Sequence, residues 1–490
     1  MESLLRQLVR GKALLLIIVL GLGGSFPMGC NITLISSPAP YIQRFINSSW
    51  THRYGEAPVE NTVTFIWSAV TSVFALGALF GSISVRSVTN KLGRKRAMIC
   101  NNAINVVALC IMIASKPANS FEMILLARFL FGLTSGLGFS IHVLYLGDCS
   151  PKKIRGTVTL STAIFLSSGK LTGQVMGISE ILGREDWWNI LLSVPAFFSI
   201  IQMVTLPFFP EAPRYLLIEK GNTEECKKAL QCLWGPGDYK LEIEEMLVEK
   251  DAMKGERSKT LLELLRDQHV RWQLLTVFFI NVAIQFCGIS AFSVFAFSIF
   301  EEAGIPVDKI RYVTMGIGTC EVLTNITCGM LIDRVGRKVL IWGGFGCMAI
   351  FLALITLTLE IKDYAVWIPY STIALIFLFT IFYGGGPAGV VSSIYHEIFI
   401  QSYRSAAFIF IGILMWGGFA VLGFMFPFLL AALKSFSFLF FSSVCVAISL
   451  YIYFILPETK GKTPLEISED FRNIRLCGSS ADNKCLETRL

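Results

Sequence analysis

The sequence predicts an all-α membrane protein: twelve spanning helices in two six-helix halves, with short cytoplasmic helices between the halves. Three observations predict it. The chain of 490 residues is 54% hydrophobic and only 16% charged, with 39 Phe and a mean hydropathy of +0.62, too apolar for an ordinary soluble domain. Twelve stretches approach the roughly 20 apolar residues that a bilayer crossing needs. Finally, short polar phrases recur about half the chain apart: Asn90-Lys91-Leu92-Gly93-Arg94-Lys95 returns as Asp333-Arg334-Val335-Gly336-Arg337-Lys338. Asp148 and Arg155 return as Glu397 and Arg404, and Pro210-Glu211 returns as Pro457-Glu458. Markers held at one period imply a duplicated membrane unit, the construction by which many transporters build a solute site between two repeats.

In chain order the predicted spans are 13–34, 63–85, 97–115, 121–146, 158–179 and 188–209, then 272–300, 312–332, 339–360, 367–392, 405–430 and 436–456. The first follows a basic leader (Arg6, Arg10, Lys12) without a small-residue cleavage site, and reads as a retained anchor. Between 35 and 62 lies the largest loop on the outside. Asn47-Ser48-Ser49 there is an acceptor for N-linked sugar, whereas Asn31-Ile32-Thr33 and Asn325-Ile326-Thr327 fall within spans. Residues 210–270 are charged with apolar positions at helical spacing, as expected of amphipathic helices lying under the bundle. The expected organisation is therefore a first half at 1–209, a linker at 210–270, a second half at 271–458 and a tail at 459–490, polar and disordered beyond Glu469.

Charge sets the orientation. Lys91, Arg94, Lys95, Arg96, Lys152, Lys153, Arg155, Arg334, Arg337, Lys338 and Arg404 share one side, which the positive-inside rule makes cytoplasmic together with both termini. This bias accounts for the net charge of +7, and no nucleic-acid partner is called for. The thirteen Cys fall in spans or on the cytoplasmic side, so reduced thiols are expected.

The repeated polar residues bracket the spans. Arg94, Arg128, Asp148 and Arg155 in the first half, and Asp333, Arg337, Glu397 and Arg404 in the second, read as a cytoplasmic gate of forked Arg–carboxylate pairs made and broken between two states.

Together, Gly-Arg-Lys after the second and eighth spans, Pro151-x-x-x-Arg155-Gly156, Pro210-Glu211-Ala212-Pro213-Arg214 and Pro457-Glu458-Thr459-Lys460-Gly461 resemble the sugar porters of the major facilitator superfamily. Arg214-Tyr215-Leu216-Leu217, Gly173-Gln174-Val175 and Gly386-Pro387-Ala388-Gly389 resemble the class II facilitative glucose transporters more narrowly. The resemblance implies a hexose site between the halves. Its matching positions here are Gln174, Gln285, Ser290 and Glu321. An amide suits a sugar because it offers donors and an acceptor to neighbouring hydroxyls.

Departures from the glucose carriers are informative. Ile284 replaces a second Gln, Ser290 an Asn, Gly384 a Glu, Cys30 a Tyr, and Ser392 a sugar-stacking Trp. The expected site is roomier and poorer in amide, and fructose as well as glucose stays open as substrate. Asn31 stands where proton-driven porters carry an Asp. An amide does not titrate near neutral pH, so downhill exchange is expected.

Lys170 lies mid-span, one helical turn before Gln174. A charge there costs roughly 2.5–3.5 kcal/mol on insertion scales and calls for a partner or a function. Glu321 lies at matching depth, which predicts an ion pair in one state of the cycle. A free Lys170 would instead suit a small anionic or heterocyclic solute such as urate or a pteridine. A solute sensor without flux is a third reading, against which the complete gate set argues. His142 and His396 read as packing residues. With no metal-ligand spacing, phosphate loop or nucleophile–base pair, neither an enzyme nor a cofactor is expected. The partners implied are a hexose and the lipid bilayer, and Glu487-Thr488-Arg489-Leu490 resembles a ligand of domains that add a C-terminal strand.

Overall fold

The computed structural model describes residues 11–150, 155–255, 260–399, 401–459, 462 and 464–472, and it is helical throughout, with no strand among them. Eight helical segments are long and apolar enough to cross a membrane. The last of these, Ala406–Ile455, is two spans joined by the short turn Lys434–Phe436. Two less apolar segments, Arg155–Met176 and Val307–Val335, and the shorter apolar sixth span within 188–208 complete the twelve.

Several spans are broken, each for a local reason. The first divides into Ala13–Gly23 and Ser25–Thr33 at Gly24, against which His142 packs too closely for a Cβ. The sixth runs as Trp188–Leu191, Val194–Thr205 and the turn Leu206–Phe208, with Pro195 and Pro207 each near the start of a new piece. The seventh breaks after Arg271–Phe286 at Gly288, whose φ of 100° only glycine adopts without strain, and resumes as Ile289–Val294 and Ala296–Glu302. In the tenth, Ile368–Tyr383 widens into a π turn over Gly384–Ala388, where Pro387 removes an amide donor, before continuing as Gly389–Ile398. The predicted loop at 35–62 is largely a helix, Ala39–Tyr54, which buries Ala39, Ile42, Ile46 and Ser49 at intervals of three and four.

Within the first six spans the second packs on the fourth, the first on the fifth and the third on the fourth. Close approach of the first and fifth rests on missing side chains: a Cβ at Gly29 would overlap the Leu166 carbonyl, and one at Gly169 the Phe26 carbonyl. Buried amides join the third span to the sixth, Asn102 Nδ2 donating to Gln202 Oε1 at 2.8 Å and Asn105 Nδ2 to Ser199 Oγ at 2.6 Å. In the last six, the ninth span packs on the tenth and twelfth. The two sets meet where the second span lies on the eleventh and the fifth on the eighth. Between them run the π turn Tyr215–Glu219 and the helices Thr223–Trp234, Lys240–Gly255 and Leu261–Arg266. A Thr260–Glu263 capping box starts the last of these.

Candidate functional site

The contact between the fifth and eighth spans holds a largely buried ion pair well within both helices. Lys170 Nζ lies 2.6 Å from Glu321 Oε1, with side chains only 16% and 9% exposed. The Lys170 carbonyl accepts from Thr33 Oγ1 at 2.8 Å, so the fifth span is tied to the first at the same level. One turn along from Lys170, Gln174 is buried and its Oε1 has no hydrogen-bond partner among the described residues. That oxygen faces Gly318, three residues before Glu321, where a Cβ would overlap it. The eighth span thus presents a carboxylate on one turn and bare backbone on the next.

Gln285 is buried on the seventh span, and Ser290 Oγ donates to its Oε1 at 3.3 Å across the Gly288 break. Gly418 of the eleventh span closes over it, since a Cβ there would lie 2.8 Å from Gln285 Cγ. Asn31 is buried on the first span, with Nδ2 unpartnered among the described residues. The fold therefore brings an ammonium, a carboxylate and the Gln174 amide together where the two sets of spans meet, with Gln285 and Asn31 buried separately on the seventh and first spans. Such a set can exchange donors and acceptors with hydroxyls and carries no net charge at the pair. The side chain of Ser392 lies outside the described residues.

At the end carrying the Gly-Arg-Lys turns, the duplication is visible atom by atom. Arg94 Nε bonds Asp148 Oδ2 at 2.8 Å and Nη1 bonds Glu219 Oε1 at 2.7 Å, while its guanidinium lies 4.7 Å from the Tyr215 ring centroid. Arg337 Nη2 lies 3.3 Å from Glu397 Oε1 in the second copy. Glu211 accepts the backbone amides of Arg94 and Lys95 at 3.0 and 2.9 Å, and Glu458 those of Arg337 and Lys338 at 3.0 and 3.2 Å. Each carboxylate caps the orphan amides and the positive end of a spanning helix. The caps require glycine at the turn: Gly93 (φ 86°) and Gly336 (φ 100°) would otherwise place a Cβ 2.7 and 2.9 Å from the carboxylate oxygens.

Arg128 does not belong to this cluster. It lies seven residues into Phe121–Cys149, twenty residues before Asp148 and therefore about 30 Å from it along the helix. It is buried, donates to the Asn31 carbonyl at 3.2 Å and stacks on the Phe74 ring at 4.6 Å. The side chains of Arg155, Asp333 and Arg404 lie outside the described residues. Asn47 is exposed on the helix Ala39–Tyr54. The strand-ligand motif at 487–490 is likewise outside the described residues. His142 is buried with Nδ1 2.7 Å from Ser25 Oγ, and the described Cys are free thiols.

Glu211, Glu219 and Glu458 were not among the residues expected to act. The signal for Glu211 and Glu458 was their place in the duplicated Pro-Glu pair; Glu219 carries no such mark and arrives through the π turn. Arg311, close to the start of Val307–Val335, also escaped the sequence reading and is held by hydroxyls of distant segments.

Twelve spans in two sets, with a polar site at their contact and matched turns at one end, define a multi-pass membrane transporter. Residues 16–471 match the family described as "Sugar (and other) transporter", and the chain belongs to that family. The human facilitated glucose transporter member 9 of solute carrier family 2 is 40% identical over 449 residues, 92% of this chain and 83% of that protein. Human member 11 is 39% identical over 471 residues, covering 96% and 95%, and horse member 5 is 35% identical over 454, covering 93% and 91%. Among solved structures, the partially occluded inward-open xylose transporter XylE from E. coli superposes with a TM-score of 0.76 at 17% identity, covering 91% of this chain and 98% of that one. The last likeness establishes the major facilitator fold. As a member of a transporter family, the chain is not an enzyme.

Proposed function

We propose that this protein is a facilitative transporter of hexoses, fructose and glucose, working by alternating access across the plasma membrane with both termini in the cytoplasm. Gln174, Gln285, Ser290, Glu321 and Lys170 contact the sugar, with Ser392 beside them. Residues 1–209 and 271–458 move as two bodies joined by the linker 210–270. The Arg94–Asp148 and Arg337–Glu397 clusters, with Arg155, Asp333 and Arg404, form the cytoplasmic gate. Asn47 carries an outside glycan.

The observation that carries the reading is the Lys170–Glu321 pair, set between the two sets of spans beside the open amide oxygen of Gln174. The relatives' names, which are those of facilitated glucose transporters, support the substrate class. Asn31 supports uniport, because it offers no titrating group on the first span. The pair also weighs against an anionic solute. Lys170 is already neutralised by Glu321, so an anion would have to separate two charges in a dry setting before binding.

Uptake of labelled fructose, glucose and urate into proteoliposomes, with and without a pH gradient, tests this. Saturable hexose flux indifferent to the gradient is expected. Urate flux without hexose flux would overturn the substrate, and flux driven by the gradient would overturn uniport.

A further inference from the structure

We propose that Arg311 is the latch of the outer gate, a positioning residue that holds the two halves together at the end opposite the Gly-Arg-Lys turns. This rests on the alternating-access reading above. Arg311 is 7% exposed and lies ten residues from Glu321, about 15 Å further out along the eighth span. Its three nitrogens are each engaged. Nε donates to Ser37 Oγ at 3.0 Å, Nη1 to Ser179 Oγ at 2.9 Å and Nη2 to Tyr41 Oη at 3.2 Å. All three acceptors belong to the first half, Ser37 and Ser179 just beyond the outer ends of the first and fifth spans and Tyr41 on the helix Ala39–Tyr54, while Arg311 belongs to the second. Its guanidinium also lies 5.8 Å from the Tyr41 ring and 5.6 Å from the Phe297 ring.

The acceptors are prepared for it. Ser37 Oγ gives its own proton to the Gly177 carbonyl at 2.5 Å, which leaves its lone pairs for the guanidinium. Two further bonds cross the halves at the same level, Phe297 N to Ser36 Oγ at 3.0 Å and Tyr312 Oη to Glu180 Oε1 at 2.7 Å. Of the ion pairs named at the other end, Arg94–Asp148 and Arg337–Glu397 each stay within one half, and Arg94–Glu219 joins the first half to the linker. The halves are therefore tied across the outer end by a cation, and the named pairs at the inner end do not tie them.

The chemistry of the contact suits a gate that must reopen. Charge-assisted bonds to neutral hydroxyls are stronger than neutral ones. They leave no stranded carboxylate when they part, as a buried ion pair would. The three acceptors sit on two separate segments of one half, so a single rigid displacement breaks all three bonds together, and water then takes their place.

Hydrogen–deuterium exchange on the full chain in lipid nanodiscs tests the latch without any sugar, comparing the parent with Arg311→Met, Arg311→Lys and Tyr41→Phe. Arg311→Met should speed exchange in segments 33–41, 177–183 and 295–312 while slowing it around 94–97, 211–219 and 397–399. A shift on the order of tenfold at the outer segments corresponds to losing a charge-assisted contact. Tyr41→Phe should move both ends the same way by less, and Arg311→Lys should fall between. Faster exchange at both ends would mark Arg311 as a merely structural residue, and unchanged exchange would show that it latches nothing. Either result overturns the proposal. A parent protein that moved no hexose would refute the substrate and leave this readout intact.

Discussion

Replacing Lys170 with Met removes one partner of a pair whose members are 16% and 9% exposed and 2.6 Å apart. Glu321 then stays buried as a lone carboxylate, since the eighth span is held in place by its packing on the fifth and tenth. Breaking such a pair from one side costs about 3–5 kcal/mol, and the residual exposure of Lys170 points to the lower figure, about 3 kcal/mol. Substituting both residues by apolar ones of similar volume, Lys170→Met with Glu321→Leu, should recover most of that loss, because the desolvation of two charges disappears along with their attraction. The coupling between the two substitutions should thus be large and opposite in sign to the single losses. Thermal melts of the four purified proteins would rank the single Lys170→Met lowest and place the double near the parent. Hexose uptake should fall in all three variants, the double included, because stability returns while the polar lining does not. The reasoning fails if Lys170→Met melts with the parent and transports normally, or if the two substitutions are additive.

Gly318→Ala should push the Gln174 amide out of its present pose. The amide is the flexible end of a side chain, so the melt should barely move while the KM for hexose rises severalfold, which uptake kinetics would show. Gly336→Ala strains a left-handed turn and crowds Glu458; a loss of about 1–2 kcal/mol is expected, and Glu458→Gln should weaken the same turn by less, both read from melts. The Tyr312 hydroxyl and the neighbouring Arg184 and Arg311 hold the Glu180 carboxyl below its ordinary range. A depressed folded pKa makes that contact fully present above the unfolded carboxylate pKa and lost only as pH falls through the folded value. Exchange protection of 177–183 should therefore be flat from pH 8 down to about 5 and decline only in stronger acid.

The spans were legible because burial in lipid leaves long apolar runs, and the duplication was legible because turn chemistry needs particular residues at fixed places. Depth was harder to read. Arg128 looked like a bracket of the fourth span from its neighbourhood in the sequence, yet twenty residues of helix separate it from Asp148. The helix Ala39–Tyr54 shows intervals of three and four at Ala39, Ile42, Ile46 and Ser49, but its polar surface and flanking prolines read as a loop. Lys170 and Glu321 stood out individually, since charges in spans are expensive, and helical rise matched their depths. Arg311 gave no comparable sign, because its three hydroxyl partners come from two segments more than a hundred residues away in the sequence and a Ser or Tyr near a span end is unremarkable.

The carboxylate caps have a topological consequence. Glu211 leaves the sixth span and seizes the start of the third; Glu458 leaves the twelfth and seizes the start of the ninth. Each group of six spans is thereby fastened back upon its own middle, like a belt buckled partway along its length. Rotation of one group against the other need not loosen either buckle, because neither cap crosses from one group to the other. A chain severed between Lys240–Gly255 and Leu261–Arg266, and supplied as two pieces, should still assemble and carry solute.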